Sequence, residues 1–457
     1  MNTVKISYVI CTGVIDKYKE NLKSGPVPAE LFIKNRSKLK NRLEPGSVVV
    51  ICSGYQIPRN RDQYYPYRQQ SDFFYLTGIN QPGYVLFMCP DHPQEDLREV
   101  LLTAKQSEKE KVWHGPKPAP DELSALSGID HVRNMDDRDQ LIGQLIPGAG
   151  TVYFNLPWDS SPRSVINTFD GAMYSIITDR YPLLKPARLA PLLTELRMIK
   201  DPLEIEQIRR SCAITGSAFR KALSVIRPGI REYGVEAEII AEFIRSGAEG
   251  HAFDPIIACG ENALILHYAD NNRECRDGSL LLMDFGAEVN NYAGDCTRTV
   301  PVSGRFTGRQ RELYDSVHKV YRKAREMMVP GEKLHDLHQR VGTLWQEEHI
   351  RLGLYTRKQA ERQDPQQPLW KRYFLHGTSH SVGLDVHDPF DRNVPLQPGM
   401  VFSCEPGLYI PEEKLGIRLE NVILITDKGP EDLMEDIPMD SGEIEQLMRS
   451  MNGMQKS

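Results

Sequence analysis

The sequence predicts an α/β (α+β) protein of two domains, the first built on a mixed sheet and the second on two similar halves. Its 457 residues are about three times the length of a typical domain, which excludes a single small module. Short apolar runs alternate with helical patterns in the first half, and one order of elements occurs twice in the second half. The 40% hydrophobic and 26% charged residues are typical of a folded chain with a solvated surface.

The first domain begins with a helical pattern over 31–43, which Pro45-Gly46 ends. Apolar runs bounded by turn residues predict strands at 47–52, 84–89, 99–102 and 151–154. Three prolines between residues 182 and 191 then interrupt the chain, after which long amphipathic helices begin. We therefore expect a boundary that gives domains 1–188 and 189–457, and we leave the first residues, to about 25, unassigned.

The second domain contains an internal repeat of helix, Pro-Gly break, helix and strand pair. The four helical patterns cover 203–226, 233–246, 309–328 and 334–352. The breaks within the two copies are Pro228-Gly229 and Pro330-Gly331. Two such copies predict a pseudo-twofold domain, and the cleft between its halves is a natural place for a site that draws residues from both.

Charge and cysteine usage restrict the partners and the compartment. A net charge of −6 provides no field for holding polyphosphate, which argues against a nucleic-acid partner. No run reaches the ~18 apolar residues of a membrane helix, and the apolar stretch from Ile6 to Ile15 lacks the cleavage pattern of a signal peptide. The eight cysteines include no CxxC pair, so reduced thiols in a cytoplasmic protein are expected.

The first copy of the repeat carries two aspartates on a predicted hairpin. An apolar strand that contains Asp284 is followed by Asn290-Asn291 and by a strand that begins near Asp295. The aspartates are 11 residues apart, and an odd separation across an even loop places both on one face. Exposed turn aspartates are the alternative, but Asp284 follows four apolar residues. Because buried like charges would otherwise be protonated, the pair predicts a bound cation.

The second copy carries two glutamates in the same arrangement. Glu405 and Glu420 are 15 residues apart, and a hairpin centred on Glu412-Glu413 would place them on one face. The segment between the two copies has three histidines in twelve residues, His376, His380 and His387, and its Gly, Ser and Val content does not favour a helix. A single histidine is more often structural than a ligand, but three beside paired acids indicate a site.

One histidine with four carboxylates is a ligand set that suits Mn²⁺ or similar ions better than a thiolate zinc site. Two divalent ions would match the four negative charges. When two ions lie roughly 3.5–4 Å apart, they can deprotonate a shared water and hold the oxyanion formed at a carbonyl, which predicts hydrolysis. The motifs HExxH, GxGxxG and GxxxxGK[ST] are missing, and 377–381 lacks the closing glycine of a GxSxG elbow.

These residues resemble the pita-bread metallopeptidases, and most closely the aminopeptidase P (Xaa-Pro aminopeptidase) family. The resemblance covers nearly the whole chain from about Leu31. The matching motifs of the second domain are 265–268, 283–286, 294–299, 376–388, 405–409 and 416–420, and those of the first are 65–78 and 113–115. Methionine aminopeptidases have the metal motif without this first domain. The resemblance therefore implies a pita-bread catalytic domain preceded by a mixed-sheet domain of the creatinase/aminopeptidase P type.

The resemblance also implies roles for nine side chains. The metal ligands it implies, for a dinuclear centre that usually holds Mn²⁺ and alternatively Co²⁺ or Zn²⁺, are Asp284, Asp295, His380, Glu405 and Glu420. The residues it implies for substrate orientation and charge stabilisation are His267, His376 and His387. Arg418 matches an arginine that supports the ligands, and we expect Tyr409 to lie beside it.

The implied reaction is hydrolysis of the N-terminal Xaa-Pro bond of peptides by a hydroxide that bridges two metal ions. An Xaa-Pro bond has no N–H and a fixed ring, so a pocket shaped for the ring can select it. A prolidase restricted to Xaa-Pro dipeptides is the close alternative, because it shares the ligand set and differs only at the rim of the site. The segments on either side of Glu405, which line that rim, look shorter than the family pattern. A non-catalytic binding module is the third, although all five ligand positions hold ligating residues.

The resemblance further implies a homodimer or tetramer. In such an assembly, the loop that bears Trp113 would approach the cleft of a neighbouring chain. From the sequence, Trp113 lies in a polar, Pro-rich loop, where a large aromatic side chain is costly to expose. The alternative is that Trp113 packs against its own domain.

Overall fold

The computed structural model describes residues 23–156 and 168–454. The chain divides into two compact units between Leu196 and Arg197. The sequence predicted the division between residues 188 and 189. The apolar stretch from Ile6 to Ile15 and Cys11 lie outside the described residues.

A mixed sheet forms the centre of the first unit, as the sequence predicts, and it has six strands in the described residues. Its strands are β1 (Ser47–Cys52), β4 (Val85–Met88), β5 (Glu99–Thr103), β6 (His131–Asn134), β7 (Thr151–Phe154) and β8 (Pro186–Arg188), and a separate ribbon is made of β2 (Pro58–Asn60) and β3 (Gln63–Tyr64). The order is β6-β5-β4-β1-β7-β8, in which β1 is antiparallel to β4 and parallel to β7. The apolar residues of β1, β4 and β7 are buried, which explains their nearly continuous hydrophobic runs.

Seven α-helices begin in the described part of the first unit, and the last of them extends two residues past its boundary. They are α1 (Ala29–Lys40), α2 (Ser71–Thr77), α3 (Glu108–His114), α4 (Pro120–Ser127), α5 (Arg138–Leu145), α6 (Phe169–Arg180) and α7 (Ala190–Met198). The structure corrects the placement of Trp113, which lies in the last turn of α3 and not in a loop. Ser107 and Glu110 form a capping box that starts this helix. The Trp113 side chain is 73% exposed, so it does not pack against its own domain.

The second unit contains two pairs of long helices whose bounds lie close to the predicted ones. The helices are α8 (Pro202–Leu223), α9 (Glu232–Arg245), α10 (Gly308–Glu326) and α11 (Leu334–Arg351), followed by α12 (Arg357–Glu361) and α13 (Ser441–Met454). Capping boxes begin α8 at Asp201 and α10 at Thr307. Each pair precedes a set of antiparallel strands, which confirms the predicted repeat.

Within the described residues of the second unit, the strands form four small antiparallel sheets. They are β9 (Gly250–His251), β10 (Ile256–Cys259), β11 (Leu280–Phe285), β12 (Ala287–Val289), β13 (Tyr292–Ala293), β14 (Cys296–Pro301), β15 (Val401–Cys404), β16 (Gly407–Ile410), β17 (Leu415–Arg418), β18 (Asn421–Thr426) and β19 (Gly429–Asp432). The orders are β10-β11-β14, β13-β12-β9, β15-β18-β19 and β16-β17. Within 23–156 and 168–454, no helix has the length and apolar character needed to cross a membrane.

Candidate active site

The first hairpin of the site has the predicted two-residue turn. β11 pairs with β14 so that Asp284 lies opposite Thr297, and β12 pairs with β13 across Asn290 and Asn291. Both asparagines have positive φ, 50° and 63°, as a type I′ turn requires. Since opposite residues of an antiparallel pair share a face, Asp284 lies on the same face as Thr297, and therefore as Asp295 two residues earlier.

Two glycines allow this hairpin to pack closely. A Cβ atom on Gly286 would lie 1.8 Å from the carbonyl oxygen of Gly294 on the opposite strand. A Cβ on Gly294 would lie 2.8 Å from Ser211 Oγ and from Thr215 Oγ1, both on α8. Ser211 and Thr215 also hydrogen-bond the backbone of Ala287. The backbone that carries Asp295 is therefore held directly against α8.

The second hairpin places the two glutamates opposite each other. β16 pairs with β17 from Gly407–Arg418 to Ile410–Leu415, and β15 pairs with β18 in the same register. That register continues through Glu405 and Glu420, so both carboxylates share a face, as the odd separation predicts. Pro406 has no N–H to give to the ladder, which is interrupted at this position.

The two hairpins are joined by hydrogen bonds of β14. Thr297 Oγ1 donates to Glu420 Oε2 at 2.6 Å, and the Glu420 N–H donates to the Thr297 carbonyl at 3.1 Å. Arg418 Nε donates to the same Thr297 hydroxyl at 2.9 Å. Sequence reasoning assigned no role to Thr297. The alternation Asp295, Thr297, Thr299 could have revealed it, because residues two apart on a strand share a face.

The histidine segment forms no helix and is tied to β15. His380 N–H donates to Ser403 Oγ at 3.0 Å, and the His380 carbonyl accepts from the Ser403 N–H at 2.8 Å. The Ser403 hydroxyl also donates to Glu405 Oε1 at 3.3 Å. Ser403 therefore orients the carboxylate of Glu405 and holds the backbone of His380. The sequence analysis missed this role.

Donor atoms of the predicted ligands converge in the second unit. Asp295, His380 and Glu420 each offer one atom within 4.8 Å of the others. His380 Nε2 lies 3.4 Å from Asp295 Oδ2 and 3.6 Å from Glu405 Oε1. Asp284 forms an ion pair with Arg418, whose Nε lies 3.8 Å from Glu420 Oε2. The structure thus gathers both aspartates, both glutamates and His380 into one group.

The carboxylates of this group destabilise one another. Burial, followed by the charges of Asp295 and Glu405, raises the pKa of Asp284 to about 7 in spite of Arg418. Burial and the same two neighbours raise the pKa of Glu420 well above its usual value. Four carboxylates face the Arg418 guanidinium and one imidazole, so a divalent cation among them would favour the charged forms of Asp284 and Glu420.

The donor set also fits a metal ion on other grounds. Asp284 Oδ1 is buried, and no hydrogen-bond donor reaches it from any part of the chain that the structure describes. Burial disfavours the charged form of His380, but the carboxylates of Asp295 and Glu405 outweigh it and raise the pKa of the imidazole to about 9. A cation among these groups would compete with that proton. One imidazole among carboxylate oxygens suits a hard-to-borderline divalent ion.

A chain of hydrogen bonds links the ligand group to His376. Arg418 Nη1 donates to Tyr409 Oη at 2.9 Å, and Tyr409 Oη lies 2.8 Å from His376 Nε2. His376 Nδ1 lies 2.8 Å from the Gly377 carbonyl, which can only accept. Burial lowers the pKa of His376, so the neutral imidazole donates from Nδ1 and accepts the tyrosine proton at Nε2. Tyr409 thus lies beside Arg418, as expected.

The other two predicted histidines lie on the exposed side of the group. The rings of His387 and His380 have centroids 4.1 Å apart. Burial and the charge of His380 lower the pKa of His387, and His267 contributes in the same direction. Both His387 and His267 are exposed, so a peptide could reach them.

A cavity of about 670 Å³ in the second unit is lined by none of the nine predicted site residues. Its charged walls are Arg231, Arg273, Arg276, Glu261, Glu274 and Lys414. Arg273 and Glu261 pair at 2.8 Å, with both side chains more than two-fifths exposed. Solvated pairs of this kind carry little energy, and we place the chemistry at the carboxylate group instead.

Models of known families match both units. The model of metallopeptidase family M24 matches residues 206–427, and that of the aminopeptidase P N-terminal domain matches residues 32–153. An Xaa-Pro aminopeptidase of Escherichia coli strain K12 is 35% identical over 435 residues, covering 91% of this chain and 97% of the relative. The chain belongs to the aminopeptidase P group of metallopeptidase family M24. Family membership implies that it binds divalent metal and acts as a hydrolase.

Solved structures agree with this family. Zn-substituted aminopeptidase P of E. coli, in complex with product, superposes with a TM-score of 0.83 at 34% identity and covers 93% of this chain and 99% of its own. Aminopeptidase PepP of Pseudomonas aeruginosa gives a TM-score of 0.83 at 30% identity, covering 94% and 99%. The human Xaa-Pro aminopeptidase 3 is 29% identical over 87% of this chain and 80% of its own length. The likeness extends over both units.

Proposed function

We propose that this protein is a metal-dependent aminopeptidase that hydrolyses the N-terminal Xaa-Pro bond of peptides. The observation that carries the proposal is the convergence of Asp295, His380 and Glu420, with donor atoms within 4.8 Å of one another, in a chain similar to Xaa-Pro aminopeptidases over most of its length. Such a group suits a metallopeptidase, because it can hold ions beside a peptide carbonyl.

We propose two divalent ions as cofactors, with Mn²⁺ as the native ion and Co²⁺ or Zn²⁺ as substitutes. The ligands would be Asp284, Asp295, His380, Glu405 and Glu420. When bound, the ions would supply an acidified water and a Lewis acid for the scissile carbonyl. The oxygen-rich donor set and the mutual repulsion of its carboxylates support this assignment.

The chain's own residues would perform the remaining tasks. Arg418 acts through Asp284 and Tyr409 and is a positioning residue. His376, which accepts from Tyr409, can donate or accept a proton at the edge of the ligand group. His387 and His267 are exposed beside it and would orient the peptide and stabilise charge that develops on the carbonyl oxygen.

A substrate-length series tests the function. The purified chain, loaded with Mn²⁺, is given an Xaa-Pro dipeptide, an Xaa-Pro tripeptide, a longer Xaa-Pro peptide, and matched peptides with alanine in place of proline. We expect release of the first residue from the proline-containing tripeptide and longer peptide only. Cleavage confined to the dipeptide would establish the prolidase alternative, and equal cleavage of the alanine series would refute proline selectivity.

Metal analysis separates catalysis from the binding-module alternative. The protein is stripped with a chelator, loaded with Mn²⁺, desalted and analysed. Two ions per chain with recovered activity are expected. If no ion is retained and no peptide is cleaved, the chain is a pita-bread binding module.

We also propose a cytoplasmic homo-oligomer, a dimer or tetramer. Each cysteine described by the structure is a free, buried thiol, which suits a reducing compartment. The exposed Trp113 at the end of α3 supports a surface that associates with another chain. We further propose that residues 1–188 act as the N-terminal domain and 189–457 as the catalytic domain, since the two family models match on either side of this boundary.

A further inference from the structure

A buried ion network lies beside the histidine segment and uses none of the predicted site residues. Arg197 Nη2 pairs with Asp388 Oδ1 at 2.6 Å, and Lys200 Nζ pairs with Asp388 Oδ2 at 3.1 Å. The Arg197 side chain is 4% exposed, and those of Lys200 and Asp388 are 1% exposed. Charges so far from water are expensive unless they are paired, which makes this arrangement costly to disturb.

Asp388 closes the segment 381–388 on itself. Its N–H donates to the Ser381 carbonyl at 2.9 Å, and its Oδ1 accepts from the Asp385 N–H at 3.1 Å. A Cβ atom on Gly383 would lie 2.7 Å from the Asp388 carboxylate, so the loop wraps tightly around this side chain. Lys200 Nζ also donates to Ser381 Oγ at 3.3 Å. One carboxylate therefore receives two cations and one backbone donor.

Each end of this closed segment adjoins a predicted site residue. His380 immediately precedes Ser381, and His387 immediately precedes Asp388. The rings of His380 and His387 meet with centroids 4.1 Å apart, a contact that requires the two ends of the segment to lie side by side. The bond between Asp388 N–H and Ser381 O brings those ends together.

We propose that Arg197, Lys200 and Asp388 are positioning residues of the metal centre. Through Asp388, the two buried cations fix the 381–388 loop so that the imidazole of His380 faces Asp295 and Glu420 and that of His387 stands beside it. This inference rests on the proposed function, because it assigns His380 as a ligand. The inference adds Arg197, Lys200 and Asp388 to the residues that support the metal centre, although none of the three is a predicted ligand.

A merely structural role makes a different prediction. An ion network that only holds the domain together would lower the melting temperature when broken but leave the folded site intact. A positioning role predicts weaker metal binding in protein that is still folded, because residues behind metal ligands typically contribute about 10-fold to 100-fold in affinity or activity.

The test compares metal affinity in two matched variants of the full chain. Asp388→Asn keeps the shape of the side chain but removes its charge. Glu348→Gln is the control: Glu348 is a buried carboxylate of the same unit that also receives two cations, Lys319 Nζ at 2.6 Å and Arg351 Nη2 at 3.0 Å. Each metal-free protein is titrated with Mn²⁺ by calorimetry, below its melting temperature.

We expect Asp388→Asn to raise the Kd for Mn²⁺ at least about 10-fold and to lower kcat, whereas Glu348→Gln stays within about twofold despite a lower Tm. An unchanged Kd in folded Asp388→Asn would overturn the proposal. If Asp388→Asn does not fold, Lys200→Met decides. This variant leaves the Arg197–Asp388 pair in place. A rise in Kd that is smaller than the roughly 10-fold expected for Asp388→Asn supports the positioning role, and an unchanged Kd overturns it.

The result is separable from the proposed function. If the unaltered protein binds Mn²⁺ but cleaves no Xaa-Pro peptide, the aminopeptidase proposal fails, while the comparison of Kd values still decides on the network. If the protein cleaves these peptides and the Kd values do not differ, only the positioning role is refuted.

Discussion

Among single residues, Glu420 is a buried carboxylate surrounded by other carboxylates. It lies between the two hairpins, accepts from Thr297 and shares its surroundings with Asp295 and Glu405. Because its pKa is raised, Glu420 lowers the stability of the metal-free protein progressively as the pH rises above 4.5, the usual pKa of a glutamate, where the unfolded chain already loses this proton. A bound cation reverses this effect, so the same carboxylate would be unfavourable without metal and favourable with it.

The variant Glu420→Gln tests this dual role. In the metal-free state at pH 8, we expect a higher Tm than in the unaltered protein, because glutamine has no carboxyl whose ionisation is penalised by burial, and the Thr297 bond is kept. With Mn²⁺ present, we expect a lower Tm and a loss of affinity greater than the roughly 100-fold typical of residues behind the ligands. Differential scanning calorimetry with and without metal measures both. An unchanged metal affinity would remove Glu420 from the ligand set.

His387 should respond differently from the ligands. It is exposed and meets His380 ring to ring, without a place in the carboxylate group. We expect His387→Ala to lower kcat while the metal content of the purified protein stays the same, because the lost contact acts on the transition state. Steady-state kinetics and elemental analysis of the same sample check this. Loss of both ions would show that His387 holds metal.

At the scale of elements, the first hairpin depends on close backbone approach at Gly286. We expect Gly286→Ala to lower stability by about 1–3 kcal/mol and to weaken Mn²⁺ binding, because its Cβ would lie 1.8 Å from a backbone carbonyl that cannot move aside. Gly308→Ala is the control, since nothing lies within 4 Å of its Cβ at the start of α10. There the change should be neutral or stabilising by about 0.5–1 kcal/mol. Thermal unfolding and metal titration of both variants compare them, and equal effects would contradict the packing argument.

The helix α11 contains a pH-sensitive element that is separate from the metal site. His349 is buried against Trp345, with ring centroids 5.2 Å apart, and burial lowers its pKa to about 3. In the unfolded chain, His349 takes up a proton near pH 6.5. The stability that buried, neutral His349 gives the fold is therefore intact above pH 6.5 and is lost progressively as the pH falls from 6.5 toward 3.

The variant His349→Phe removes that titration. Between pH 6.5 and 5, we expect the unaltered protein to lose roughly 2 kcal/mol more stability than His349→Phe, at about 1.4 kcal/mol per pH unit. Thermal midpoints measured in parallel across this range test the expectation. Parallel curves for the two proteins would show that His349 remains protonated in the fold or takes no part.

For the whole molecule, the property to be tested is the association of this chain with further copies of itself. Trp113 lies in the last turn of α3 with its side chain 73% exposed, next to the exposed Val112. We expect light scattering to report a dimer or tetramer of the 52.0 kDa chain, and Trp113→Ala to shift it toward monomer. Leu183→Ala, at another exposed apolar residue, should leave the assembly unchanged. A fully active monomer at nanomolar concentration would refute a role for a neighbouring chain.

The sequence by itself determined the two carboxylate pairs and the elements that carry them. The Asn290-Asn291 turn and the odd separations are local features, because a two-residue repeat along a strand decides which side chains share a face. The four long helices follow from apolar periodicity and Pro-Gly breaks in the same way. The polar, Pro-rich composition around Trp113 led to the wrong prediction of a loop. The capping box at Ser107 starts a helix there in spite of the composition of the segment that follows.

Only the tertiary structure determined which groups contact and orient the residues of the site. Thr297 and Glu420 are 123 residues apart, and Arg197 and Asp388 are 191 apart, yet each pair is in contact. Periodicity assigns a residue to a face, but its partner depends on how two hairpins and a distant loop pack, which no local pattern records. The chemistry of the site could thus be anticipated from residue types, whereas the interactions that orient it became visible only in the folded chain.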